Sequence, residues 1–114
     1  MTMTTPLPGQ PVRGSASGRP IMALLDLLGR RWSLRILWEL HQGPATFRDL
    51  QARCESLSPS VLNTRLGELR QALLVENGEA GYCLTADGEE LVRRCLPLAD
   101  WAEHWANRLP VPEK

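Results

Sequence analysis

Two short helices in close succession constrain this chain more than any other feature. Thr46 to Cys54 reads as the first: Thr46 stands in N-cap position, Asp49 three residues on completes a capping box, and Phe47, Leu50 and Cys54 make an inward stripe. Ser58 caps its successor, with Pro59 in the first turn of Pro59-Ser60-Val61-Leu62-Asn63-Thr64-Arg65-Leu66-Gly67-Glu68-Leu69. On an ideal helix Leu62, Leu66, Leu69 and Leu73 stack on one face, while Ser60, Asn63, Thr64 and Gln71 lie on or near the other. Two helices joined by a tight turn and followed by a small hairpin form the scaffold of a DNA reader. The polar face is short, neutral and rich in groups that address base edges or phosphates. An ordinary solvated surface helix carries the same pattern.

The flanking segments complete a mainly helical plan with one β-hairpin. Met1 to Gly18 has no periodicity and several Pro, Gly, Ser and Thr residues, which predicts a flexible tail over residues 1–18; Arg13 and Arg19 near it are candidate phosphate contacts. Ile21 to Leu28 is a short helix ending at Gly29, and Ile21, Met22, Leu24, Leu25, Leu27 and Leu28 nearly surround it. A helix so apolar needs cover on most sides. In a chain of 114 residues that cover includes a second subunit, so the segment reads as core plus dimer contact. Ser33 to His41 follows, with Leu34, Leu37, Trp38 and Leu40 at core spacing, and stops before Gly43-Pro44. Ala45 reads as a one-residue strand edge.

After Leu73-Leu74-Val75-Glu76 leads outward into a strand, Asn77-Gly78 predicts a sharp turn and Tyr82-Cys83-Leu84 pairs back as a short wing. Thr85 caps a last helix from about Ala86 to Arg108, which Pro97 is expected to kink. Leu91, Cys95, Leu98, Trp101, Ala102 and Trp105 form its stripe. Trp101 and Trp105 lie one turn apart and read as dimer core, or as an aromatic wall for a small aromatic effector. The domain plan is thus a tail over 1–18, one domain over 19–109 and a C-terminal tail over 110–114.

Charge is informative by location. The formal net charge is zero, yet between Arg30 and Arg70 seven arginines face four carboxylates, and the rest of the chain is acidic by the same margin. One surface suits a polyanion and another does not. There is no run of about 18 apolar residues and no secretory signal, so a soluble, cytoplasmic protein without a membrane partner is expected. Cys54, Cys83 and Cys95 are widely spaced without a Cys-x-x-Cys pair, which argues against a disulfide framework or a metal site. They read as small core residues, with Cys83 the candidate sensor thiol because strand alternation can turn it outward. Catalysis lacks its parts: Cys95 and His104 sit nine residues apart on one helix, about 13 Å at 1.5 Å per residue, and Gly14-Ser15-Ala16-Ser17-Gly18 has Ala at its centre. No cofactor is expected.

Four ordered motifs carry a resemblance. Leu27-Leu28-Gly29-Arg30-Arg31-Trp32-Ser33-Leu34-Arg35-Ile36-Leu37, Gly43-Pro44-Ala45-Thr46-Phe47-Arg48-Asp49-Leu50, Leu57 to Leu66, and Tyr82-Cys83-Leu84-Thr85-Ala86-Asp87-Gly88 together resemble the HxlR-type winged helix-turn-helix regulators of the MarR-like superfamily. The similarity spans roughly residues 21 to 105. It implies a small bacterial transcription factor at the nucleoid, binding double-stranded DNA as a homodimer joined through its first and last helices. Carried over by position, Ser58, Ser60, Asn63, Thr64 and Arg65 face bases, and Arg31, Thr46 and Arg48 face phosphate. Ile21, Leu24, Leu25, Leu28, Leu98, Trp101 and Trp105 form the dimer interface, and Trp32 is a packed anchor.

Three departures stand out. Many members carry a cysteine just ahead of the first helix, where this chain reads Gly18-Arg19-Pro20-Ile21. Gly67 replaces the longer, often basic side chain expected on the recognition helix, and Glu76-Asn77-Gly78-Glu79-Ala80-Gly81 is a short acidic wing without Lys or Arg. The competing reading is a winged-helix module that binds protein instead of DNA, which net neutrality and the acidic wing favour.

Overall fold

Local signals place every helix. A computed structural model describes residues 4–110, in the order α1 Pro20–Leu28, α2 Ser33–His41, α3 Phe47–Arg53, α4 Pro59–Gln71, β1 Val75–Gly78, β2 Gly81–Leu84 and α5 Ala86–Arg108. Three N-caps act as the sequence predicts: Thr46 Oγ1 accepts from Asp49 N at 3.1 Å, Ser58 Oγ from Val61 N at 3.2 Å and Thr85 Oγ1 from Gly88 N at 3.1 Å. Each satisfies a backbone donor that the first turn leaves orphaned. Strands β1 and β2 pair antiparallel from Val75↔Leu84 to Gly78↔Gly81. Ala45 adds the expected third edge, exchanging two hydrogen bonds with Tyr82 at 3.0 and 2.8 Å. The chain is a mainly helical winged helix-turn-helix.

The core is a leucine cluster beneath α3 and α4. Ile36, Leu37 and Leu40 of α2, Leu50 of α3, and Leu62, Leu66 and Leu69 of α4 are buried with Leu27, Val75 and Val92. The core face of α2 differs from the expected one: Ile36 points inward, while Leu34 and Trp38 face out. Leu73 also leaves the apolar face of α4. Helix α4 ends at Gln71, and Leu73 takes a left-handed conformation (φ 60°), with Leu73 N donating to Arg70 O and Leu74 N to Leu69 O. This is the Schellman arrangement with leucine where glycine is usual. Leu73 is 69% exposed, and Leu74 returns to the core in its place.

The wing turns later than Asn77-Gly78 suggests. Both residues belong to β1, and Glu79-Ala80 form the loop. Tertiary packing explains the shift. A Cβ on Gly81 (φ +113°) would stand 2.6 Å from the Ala45 carbonyl oxygen, so the glycine that the hairpin needs is the one beside the Ala45 edge.

Residues 4–18, read from composition as a flexible tail, are laid against the body. Gly9 N donates to Gly18 O at 2.9 Å, Val12 and Ser15 pair as a small bridge, and Thr5 and Pro6 are buried. Thr5 Oγ1 bonds Gln71 Oε1 at the end of α4, and Arg13 N donates to Asp26 Oδ2 at 3.1 Å. Of the C-terminal tail, residues 111–114 lie outside the described residues, as do residues 1–3 of the N-terminal one. Helix α5 is continuous through Pro97; Gly88 and Val92 are its buried residues.

Candidate nucleic-acid interface

Helix α3 supports α4 through a short turn. Glu55 and Ser56 both take φ +58°, Leu57 drops into the core, and Gln51 Nε2 donates to Leu57 O at 2.9 Å across the turn. Arg35 of α2 secures the other side: its Nη2 donates to Arg53 O at 2.7 Å, Nε to Glu39 at 2.9 Å, and Nη1 stands 3.5 Å from Glu55. The hydrogen bond to Glu39 is the main cause holding the Arg35 guanidinium above its ordinary range. Helix α4 is thereby presented as a fixed rod with Ser58, Ser60, Asn63 and Thr64 all exposed. Gly67 continues this face, and a Cβ there would meet nothing within 4 Å.

Arg65 departs from the base-facing set. Its Nε donates to the Arg31 carbonyl at 2.7 Å and its Nη1 to Glu68 Oε1 at 2.9 Å, leaving the side chain only 20% exposed. Glu68, which sequence reasoning counted merely as one of four acidic residues, is 5% exposed and is also paired through Oε2 with Arg30 Nη1. Arg30 Nη2 donates further to Thr4 O at 2.8 Å. The spacing of Arg65 and Glu68 at i, i+3 is the one sequence signal for this network, since Arg30 lies 38 residues from Glu68.

The phosphate candidates are all at the surface. Arg31 is exposed, its guanidinium 6.0 Å from the Trp32 ring centroid, and Trp32 is half-buried against the core at φ 76°. Thr46 and Arg48 are exposed at the opening of α3. Arg31, Arg48, Arg53 and Arg70 are exposed and without an ion-pair partner among the described residues, whereas Arg30, Arg35 and Arg65 are paired. Glu76 and Glu79 are exposed on the wing, and Thr46 and Phe47 border an open cleft of about 450 Å³ with residues 77–82, Glu79 among them.

The dimer candidates divide by exposure. Ile21, Leu25, Leu98, Trp101 and Trp105 are exposed, while Leu24 and Leu28 are half-buried. Trp101 and Trp105 stack with centroids 5.9 Å apart and planes 7° from parallel. Cys83 and Cys95 are half-buried; Cys54 is buried, and burial pushes its thiol up from the ordinary value. Among the described residues no group of three or more His, Cys, Asp or Glu is gathered to hold a metal ion, and no helix is long and apolar enough to cross a membrane.

Comparison with known proteins agrees with this geometry. The chain is 30% identical over 88 residues to YvaP, an uncharacterized HTH-type transcriptional regulator of Bacillus subtilis, spanning 71% of this chain and 82% of the relative. It is 31% identical over 91 residues to YtfH, an uncharacterized HTH-type transcriptional regulator of Escherichia coli, spanning 74% and 72%. Among solved structures, quinone-bound YodB from B. subtilis superposes with a TM-score of 0.70 at 31% identity, covering 74% of this chain and 96% of that one. The family model described as HxlR-like helix-turn-helix matches residues 27–110. From the last turn of α1 through the end of α5, then, the match runs without a break, and the chain belongs to the HxlR-like helix-turn-helix family.

Proposed function

We propose that the protein is a transcriptional regulator that reads double-stranded DNA as a homodimer and represses from a pseudo-palindromic operator. The observation that carries this reading is the exposed, uncharged polar face of α4, together with the exposed Arg31, Arg48, Arg53 and Arg70, which have no ion-pair partner among the described residues. Ser58, Ser60, Asn63 and Thr64 enter the major groove, where their hydroxyl and amide groups meet base edges. Arg31, Thr46 and Arg48 take phosphate. Dimer symmetry sets the half-sites about 34 Å apart, or a multiple of that. The apolar faces of α1 and α5 receive the second subunit, and the stacked Trp101–Trp105 pair on α5 is the place for a small aromatic effector at the dimer seam, in keeping with the quinone bound by the similar YodB.

The test is a gel-shift titration against DNA flanking the protein's own gene, at two salt concentrations and with nonspecific competitor. Competitor-resistant binding that weakens as salt rises is the expected result. A second reading, a winged-helix module that binds a protein partner, is favoured by Glu76 and Glu79 on the wing and by the outward Leu34 and Trp38. Failure both to shift DNA and to bind heparin at low salt would select it.

A further inference from the structure

We infer that Glu68 is a specificity-determining residue that withholds two arginines from DNA, so that affinity rests on the readable face of α4 rather than on unspecific charge. This rests on the DNA reading above. The carboxylate is nearly closed from solvent, and each of its oxygens is taken by a different guanidinium: Oε2 by Arg30, Oε1 by Arg65. Two cations share one anion. The commitment of the arginines is visible in their other contacts. Arg65 Nε donates to the Arg31 carbonyl and Arg30 Nη2 to the Thr4 carbonyl, and Arg30 Nε is buried with no acceptor among the described residues. A guanidinium placed to meet phosphate would present its donors outward in a fork. These two side chains are 11% and 20% exposed, held by Glu68 at the wall of a cleft that Arg13 and Arg31 also line.

The consequence is a sign that a simple structural brace does not share. Every phosphate contact adds sequence-independent affinity and steepens the dependence on salt, by about 0.9 in the slope of log K against log salt per contact. Releasing Arg30 and Arg65 next to Arg31 therefore raises binding to any duplex and narrows the margin for the right one. Loss of a brace lowers binding to every duplex and leaves the slope no steeper.

The experiment compares wild-type protein with Glu68→Gln on an operator duplex and on a scrambled duplex over a salt series, with circular dichroism and thermal melts alongside. The inference expects E68Q to bind the scrambled duplex more tightly, with a slope steeper by about 0.9 to 1.8, one contact or two, and a smaller operator-to-scrambled ratio. Weaker binding to both duplexes with an unchanged slope overturns it while leaving the DNA reading intact. Absence of any wild-type binding overturns the DNA reading and this inference with it. Dicarbonyl labelling of guanidiniums in the wild-type protein, mapped by mass spectrometry, decides the matter if E68Q does not fold. Arg30 and Arg65 should label far more slowly than Arg31 and Arg48; labelling of Arg65 at the rate of Arg31 overturns the inference.

Discussion

Arg65 shows how far a single residue can be read from sequence. At about 100° per residue it lies about 140° round α4 from Ser60 and about 40° from Leu69, so helical geometry already turns it away from Ser60. Its partners do not follow from that geometry, because the loop that brings Arg30 and the Arg31 carbonyl to it precedes it by more than thirty residues. Cys54 behaves in the opposite way: the Phe47–Leu50–Cys54 stripe announces its burial, and the structure adds the electrostatic result. Burial raises its thiol above the ordinary 9.0. The unfolded chain therefore loses this proton first, so the stability tied to it is intact below about pH 9 and declines as pH rises through the unfolded value towards the folded one. Thermal melts from pH 7 to pH 10 should show that decline in wild type and a weaker one in Cys54→Ala. Alkylation of the native protein at pH 8 should modify Cys83 and Cys95 before Cys54.

Among the elements, helix starts were legible and helix ends less so. Thr46, Ser58 and Thr85 cap through contacts three residues away, a distance that sequence alone can survey. The end of α4 and the wing turn answer to distant groups instead: Leu73 accepts left-handed strain so that Leu74 is buried, and Gly81 is claimed by Ala45. Gly67 belongs to this scale as well. It costs α4 helical stability, and open space surrounds the position of its missing Cβ. Gly67→Ala should stabilise the protein by about 0.5 to 1 kcal/mol, read as a raised urea midpoint with an unchanged slope, and retain operator binding. Operator binding lost in a stabilised variant would place the DNA backbone against this turn of the helix.

Taken as one body, the molecule leaves apolar surface uncovered on α1 and α5, besides Leu34 and Trp38 of α2. Ile21 and Leu25 of α1, and Leu98, Trp101 and Trp105 of α5, are each about half exposed or more, the two tryptophans 52% and 47%. Surface of this kind is usually covered by a partner, and a two-fold interface buries the same residues on both copies. Sedimentation should show a dimer for the wild type. Leu98→Glu with Trp101→Glu should yield monomers with red-shifted tryptophan emission and lost operator binding. A monomeric wild type that still binds operator would refute the dimer and move any aromatic effector away from the Trp101–Trp105 wall; with the dimer upheld, titration of planar aromatic compounds should quench that emission.

What the amino-acid order determined by itself is everything that acts over a few residues: the caps, the apolar periodicity of α3 and α4, the polar face of Ser60, Asn63, Thr64 and Gln71, and the alternation of helix and hairpin. These depend on hydrogen bonds and side-chain spacing within one or two turns. Tertiary structure alone decided which arginines are free, where the wing turns, which face of α2 is buried and how residues 4–18 lie across the ends of α1 and α4. Each of those outcomes joins groups far apart in the chain, and only packing determines which charges find partners and which backbone groups approach closely enough to demand glycine.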